Sequence, residues 1–183
     1  MATNLVALLR AINLAGQKSV PMADLKTMLA KLGFDGARSL LASGNLVFAA
    51  GGRVPPSAKL ETRLEAEAAK RLKLDTSFFV RSAAEMRAMV GRNPFPDEAK
   101  RDPGHLVALF LKDAVDEPRV DGLRAAIVGR EQVAGVGREI FAFYPDGIGR
   151  SKLTMALIEK KLGVRGTGRN WNTVLKLEAL AHT

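Results

Sequence analysis

The sequence lacks cysteine, has few aromatic residues and contains no long hydrophobic run. Without cysteine the chain has no disulfide, no thiolate metal ligand and no cysteine nucleophile. No run approaches the roughly 18 apolar residues of a membrane-spanning helix, so no membrane partner is expected. The first residues, Met1–Asn4, lack the charged region that opens a secretory signal. We therefore expect a cytoplasmic protein.

Histidine is also scarce, since His105 and His182 are its only two positions. His105 opens a predicted strand and His182 is the second-last residue, so neither has an evident metal-binding or catalytic companion. The loop from Tyr144 to Lys152 lacks the glycine and lysine spacing of a P-loop, which argues against nucleotide hydrolysis. The sequence therefore predicts no metal and no cofactor, and it leaves open whether the chain is an enzyme.

Positive charge is what the sequence has in excess. The 183 residues are 47% hydrophobic, as in folded globular proteins, and carry a net charge of +9. Residues 147–183 hold seven basic and two acidic side chains, so the excess is strong in this last segment. Such a balance favours nucleic acids and phosphorylated metabolites as partners, although solubility alone also explains it.

Hydrophobic periodicity and turn residues predict the same order of elements twice along the chain. Each half is β-α-β-β-α-β-α, and the first strands, Leu5–Leu9 and Leu106–Phe110, are nearly identical in sequence. Prolines in segment 94–104 interrupt the pattern between the halves. We therefore predict a first unit over residues 1–93, a proline-rich linker over 94–104 and a second unit over 105–183, related by an internal duplication.

In each half, one predicted helix follows the fourth strand. Ser82 with Glu85 three residues later predicts a capping box at the first of them, and Asn172 is predicted to cap the second, which runs through Ala181. A further helix is predicted over Ser151–Leu162, with Gly163 ending it.

The order β-α-β-β-α-β is typical of the ferredoxin-like plait. The predicted fold is therefore α+β, with two similar ferredoxin-like units that are each extended by one helix. In this topology the first strand-to-helix loop and the hairpin turn lie at one end of the sheet. The second strand-to-helix loop and the exit of the fourth strand lie at the other end.

Two loops of the second half fall at the same predicted end. The first loop, Tyr144–Lys152, has glycines that let the backbone approach a ligand, while Arg150 and Lys152 supply charge. The second loop, Arg169–Thr173, contains Trp171, whose indole can stack on a base or receive a cation. The alternative is that Trp171 anchors the terminal helix and the asparagines cap it. The predicted anion- or ligand-binding residues are Arg150, Ser151, Lys152, Arg169, Asn170, Trp171 and Asn172.

The first half offers a secondary candidate site. Arg10, Asn13 and Lys18 precede a helix N-terminus, where free amides and the helix dipole favour an anion. Ser43 and Asn45 belong to the hairpin turn at the same predicted end of the sheet. The alternative is that Asn13, Ser43 and Asn45 merely close turns, which is the commonest use of such residues.

Several of these motifs resemble the bacterial domain-of-unknown-function family 1697. The resemblance implies an α+β fold of two similar ferredoxin-like units, which can be intertwined, and no established activity. Ala11 and Ala15 stand where the family's first loop would have glycines, so the second-half loops are the better candidates. The motifs that carry the resemblance are Leu8–Asn13, Ser43–Phe48, Asn93–Pro96, Tyr144–Thr154 and Arg169–Val174.

Three functions follow as hypotheses. The first is a binding protein for an anionic partner, either a nucleic acid or a nucleotide or phosphate, through the basic loops. The second is an enzyme for a phosphorylated or carboxylated small molecule, which would rely on positioning and charge stabilisation. The third is a structural or assembly protein whose sheet edges pair between copies. The sequence does not predict an oligomeric state.

Overall fold

The computed structural model describes residues 3–10, 19–135 and 137–183. These residues form a mixed α+β fold with two four-stranded antiparallel sheets and seven α-helices. The chain divides into two units, one of Met1–Ala88 with Leu177–Thr183 and the other of Met89–Lys176. Both divisions fall within helices, whereas the sequence predicted a single boundary at segment 94–104.

No helix among the described residues combines the length and the apolar character that crossing a membrane requires.

Unit 1 contains one sheet, with strand order β2-β3-β1-β4 and every pair antiparallel. Leu25 and Leu29 of its first helix, and Leu60 and Leu64 of its second, are fully buried in one core with the sheet. The elements are β1 (Thr3–Leu9), α1 (Met22–Lys31), β2 (Phe34–Ser39), β3 (Asn45–Ala50), α2 (Ser57–Leu72), β4 (Phe78–Ser82) and the start of α3 (Ala83–Gly91).

The capping box predicted at Ser82 is present. The backbone N–H of Ser82 donates to the Glu85 carboxylate over 2.7 Å, and the N–H of Glu85 donates to the Ser82 hydroxyl over 3.2 Å. These two bonds satisfy backbone donors that the first turn of a helix otherwise leaves unpaired. The helix therefore begins directly at the end of β4.

Unit 2 repeats the arrangement with the order β6-β7-β5-β8, again antiparallel throughout. Leu109 and Leu111 of the sheet share a core with Val120, Leu123 and Ile158 of two helices. The elements are α4 (Pro96–Arg101), β5 (Leu106–Val115), α5 (Glu117–Arg124), β6 (Gln132–Ala134), β7 (Gly137–Phe143), α6 (Met155–Leu162), β8 (Gly166–Asn170) and the start of α7 (Trp171–Ala181).

Segment 94–104 is not the irregular linker that its prolines suggested. It contains helix α4, in which Pro96 occupies a first-turn position that needs no N–H donor. Asp97 and Glu98 lie in the first turn, and Lys100 and Arg101 lie in the last. These charges complement the helix dipole at both ends.

Two predicted helix starts also differ from the structure. Helix α6 begins at Met155 rather than Ser151, because the Thr154 hydroxyl accepts the N–H of Leu157 and caps it there. Helix α7 begins at Trp171, and its cap is Asn170 rather than Asn172. The Asn170 side-chain oxygen accepts the N–H of Asn172 over 3.0 Å, so Asn172 lies within the helix.

Candidate functional site

Strands β7 and β8 end at the same end of the unit 2 sheet, as the topology predicted. Phe143 of β7 pairs with Leu106 of β5, and Asn170 of β8 pairs with Val107. The Asn170 side chain also donates to the carbonyl of Gly104 over 2.6 Å, next to the start of β5. Strands β7 and β8 nevertheless flank β5 on opposite sides, which separates them by about 10 Å.

A surface recess of about 220 Å³ adjoins the loop after β7. Arg150, Ser151 and Lys152 line it, and none of the predicted residues 169–172 does. The two predicted loop clusters therefore do not form this recess together. Its lining residues come from the segments before β6 and after β7, and are Val128, Gly129, Glu131, Asp146, Gly147, Arg150, Ser151 and Lys152.

Tyr144 holds both ends of the loop after β7. Its carbonyl accepts the N–H of Gly147 over 3.0 Å, and its hydroxyl donates to the carbonyl of Leu153 over 3.1 Å. Gly147 has a φ of +88°, a left-handed conformation that favours glycine, so the chain can turn sharply here. Burial, together with the charge of Glu131, raises the pKa of Tyr144 to about 12, so the hydroxyl keeps its proton and remains a donor.

The two acidic side chains of the recess already have partners. The Arg130 guanidinium donates to both oxygens of Asp146, over 2.9 Å from Nε to Oδ2, and these bonds lower the pKa of Asp146. The Ser151 hydroxyl donates to Oε1 of Glu131 and accepts the N–H of Leu153 over 3.0 Å. Oε2 of Glu131 is buried and has no hydrogen-bond partner among the described residues.

The two basic side chains of the recess differ from the acidic ones in their pairing. Arg150 and Lys152 are both exposed, and within the described residues neither side chain has a hydrogen bond or an ion pair. The guanidinium of Arg150 therefore keeps its forked set of donors, which matches a carboxylate or a phosphate. Positive charge is thus available in the recess without the breaking of any bond to another described residue.

The side chains of Arg169 and Trp171 both make contacts within the folded unit. Nη1 of Arg169 donates to the Thr167 hydroxyl and to the Gly168 carbonyl, each over 2.8 Å. Desolvation lowers the pKa of Arg169 to about 10, so the group stays charged at neutral pH. The Trp171 side chain is 3% exposed, with its ring 6.0 Å from that of Phe141. An indole buried in this way anchors the start of α7 and has no free face on which a base could stack.

The secondary candidate site is held together by its turn. Asn45 is fully buried, and its side-chain amide donates to the Leu40 carbonyl over 2.9 Å and to the Ser43 hydroxyl over 3.0 Å. Asn45 therefore closes the β2–β3 turn, which is the alternative interpretation of this residue. A bond from Leu9 N–H to the Gly44 carbonyl, over 2.8 Å, places Arg10 beside that turn. Asn13 and Lys18 lie outside the described residues.

Sequence reasoning missed an Asp–His pair near the recess. Nδ1 of His105 lies 2.8 Å from an Asp102 carboxylate oxygen, and a Cβ added at Gly147 would lie 3.8 Å from Nε2 of His105. The Asp102-to-His105 spacing of three residues was the available signal, because a helical turn brings such residues together. No group of three potential metal ligands occurs in the part of the chain that the structure describes.

Comparison with known proteins gives a family and a fold. A family model described as a protein of unknown function, DUF1697, matches residues 2–141 and so ends before the loop after β7. A search of curated proteins finds no relative. The structure of conserved bacterial protein SP0830 from Streptococcus pneumoniae is similar, with 24% identity, a TM-score of 0.76 and 99% of each chain covered. At this identity the likeness shows the fold alone.

Proposed function

Because the chain belongs to the DUF1697 family of proteins of unknown function, we propose its activity from the recess of unit 2. The protein binds a small anionic ligand there, through the guanidinium of Arg150 and the ammonium of Lys152. The ligand's anionic group is a phosphate or a carboxylate.

The observation that carries this proposal is the contrast in pairing within the recess. Asp146 is neutralised by Arg130, whereas Arg150 and Lys152 have no partner among the described residues. Ser151 keeps the Glu131 carboxylate bound against the loop. An anion that enters therefore gains two charge-assisted contacts and displaces no internal ion pair.

The size of the recess supports a small ligand over a nucleic acid. Its volume of about 220 Å³ is below the roughly 300–1,000 Å³ of sites for drug-sized molecules. Single-stranded nucleic acid is bound by stacking platforms along a basic groove, and the buried Trp171 offers no such platform. Nucleic acid remains one outcome of the test.

An enzyme for a phosphorylated or carboxylated small molecule is the second candidate. The observation in its favour is the Asp102–His105 pair, because a carboxylate on Nδ1 fixes the tautomer and leaves Nε2 as an acceptor for a proton. If His105 acts in this way, His105→Gln abolishes turnover of a substrate and leaves its binding in place. A set of phosphate esters followed by proton NMR would reveal such turnover.

We also infer that the two units are copies of one ferredoxin-like unit. The support is that their sheets have the same strand order, with the first strand between the third and the fourth. An arginine also precedes the helix cap in both copies, as Arg81-Ser82 at the end of β4 and Arg169-Asn170 at the end of β8. Its guanidinium donates to the preceding carbonyl over 2.9 Å in the first copy and 2.8 Å in the second.

The binding proposal is tested by calorimetric titration with inorganic phosphate at low and high salt. We expect Arg150→Gln with Lys152→Gln to weaken binding at least tenfold, roughly 1.4 kcal/mol or more. The matched control is Lys160→Gln with Lys161→Gln, which removes the same charge from exposed positions of α6 and should change affinity less than twofold.

Equal losses in the two double variants would contradict a specific site, because the effect would then come from net charge alone. A labelled single-stranded oligonucleotide forms the second arm of the experiment. Steeply salt-dependent binding of the oligonucleotide without measurable phosphate binding would favour a nucleic-acid partner instead.

A further inference from the structure

We propose that the ligand of this recess is an organic anion, in which a phosphate or carboxylate is joined to an apolar group. This inference rests on the proposed function, because it assigns the chemistry of the remainder of the ligand that Arg150 and Lys152 hold. The apolar group would lie against the side chain of Val128.

The first support is the position of exposed apolar surface. Four large hydrophobic side chains are exposed among the described residues, namely Leu41, Val128, Ile148 and Leu175. Val128 is the most exposed of them, at 78%, and it lines the recess. Ile148 is 46% exposed and belongs to the same short turn as Arg150. Half of these side chains thus fall in the two segments that form the recess.

The second support is the cost of leaving such a surface in water. Covering a valine side chain with an apolar group removes its hydrocarbon surface from water, which favours binding. An inorganic anion cannot provide this contact. Val128 is exposed and lines a recess whose two cations have no partner among the described residues, so it is complementary to an anion that carries hydrocarbon.

The third support is the packing of Glu131 between Val128 and the loop after β7. A Cβ added at Gly129 would clash with Oε2 of Glu131, so this carboxylate packs directly against the glycine backbone. Its other oxygen accepts the Ser151 hydroxyl, which joins the segment before β6 to the loop after β7. The apolar and cationic parts of the recess are therefore connected through Glu131, which gives the ligand a defined shape to match.

The experiment compares two probes of equal charge at pH 8, methyl phosphate and phenyl phosphate, by titration of the full-length protein. We expect wild-type protein to bind phenyl phosphate about tenfold more tightly, since the ring can cover Val128. Val128→Thr keeps the side-chain shape and replaces one methyl group with a hydroxyl. This variant should lower the preference at least threefold and change methyl phosphate affinity less than twofold.

The control is Leu175→Gln, which removes an exposed apolar side chain from helix α7 and should leave the preference unchanged. Equal wild-type affinity for the two probes, or a preference that survives Val128→Thr, would overturn the inference and leave the anion site standing. If neither probe binds wild-type protein, the proposed function itself fails, so the two failures are distinguishable.

Discussion

Strands β7 and β8 end at the same end of the unit 2 sheet, and the basic residues found there are used differently. After β7, Arg150 and Lys152 are exposed in a recess and have no partner among the described residues. At the end of β8, Arg169 donates to Thr167 and Gly168 within its own strand. The comparison teaches that a basic residue marks a binding site only when the fold does not already use its donors.

The corresponding arginine of unit 1 supports this view of Arg169. Arg81 is 1% exposed, lies 3.7 Å from the Glu61 carboxylate and donates to the carbonyl of Val80 over 2.9 Å. It occupies the same place, one residue before a helix cap. An arginine at this point therefore holds the end of the strand in both units.

The difference between Arg169 and Arg150 is tested most directly by replacing each of them in turn. Arg169→Met should lower the free energy of unfolding by about 2–3 kcal/mol, because the Thr167 and Gly168 oxygens lose a charged donor in a desolvated place. Arg150→Met should change it by less than about 0.5 kcal/mol, because the side chain is exposed. Urea unfolding followed by circular dichroism measures both. Similar stability losses would show that the two arginines do not differ in role.

A smaller effect separates the two asparagines beside Trp171. Asn170→Ala removes the cap of α7 and the bond to Gly104, so we expect a loss of about 1–2 kcal/mol in unfolding free energy. Asn172→Ala should change stability little, because alanine favours the interior of a helix. Asn170→Asp retains the cap oxygen and should recover part of the loss. A larger loss for Asn172→Ala than for Asn170→Ala would contradict the assigned cap.

Local patterns predicted much of the fold. The capping box of Ser82 and Glu85 depends on residues three apart, and the apolar runs of β1 and β5 are buried strands whatever packs on them. Strand order in both sheets agrees with the topology from which the loop positions were argued. This is why it could be predicted that β7 and β8 end at the same end of the unit 2 sheet.

The composition of the site could not be predicted in the same way. Arg130 pairs with Asp146 across 16 positions, and Glu131 with Ser151 across 20, and neither pair forms a local motif. Trp171 has the same sequence neighbours whether its indole is buried or exposed, so its burial depends on tertiary packing. Segment 128–131 comes to line the recess through tertiary packing as well, so no local pattern in its sequence predicts that position.

The smallest expected effect concerns the ion pair of Arg130 with Asp146, which neutralises that carboxylate at the recess. The folded-state pKa of Asp146 is lowered by its hydrogen bonds from Arg130, so the pair stabilises the protein above the ordinary pKa of an aspartate, about 3.9. That contribution is lost as the pH falls through the lowered value.

Arg130→Gln should raise the pKa of Asp146 towards its ordinary range, as carboxyl NMR titration would show. It also leaves an uncompensated negative charge beside Arg150 and Lys152, so phosphate affinity at neutral pH should fall about threefold, less than for loss of the two cations. Unchanged affinity together with a raised pKa would mean that Asp146 does not act on the anion site.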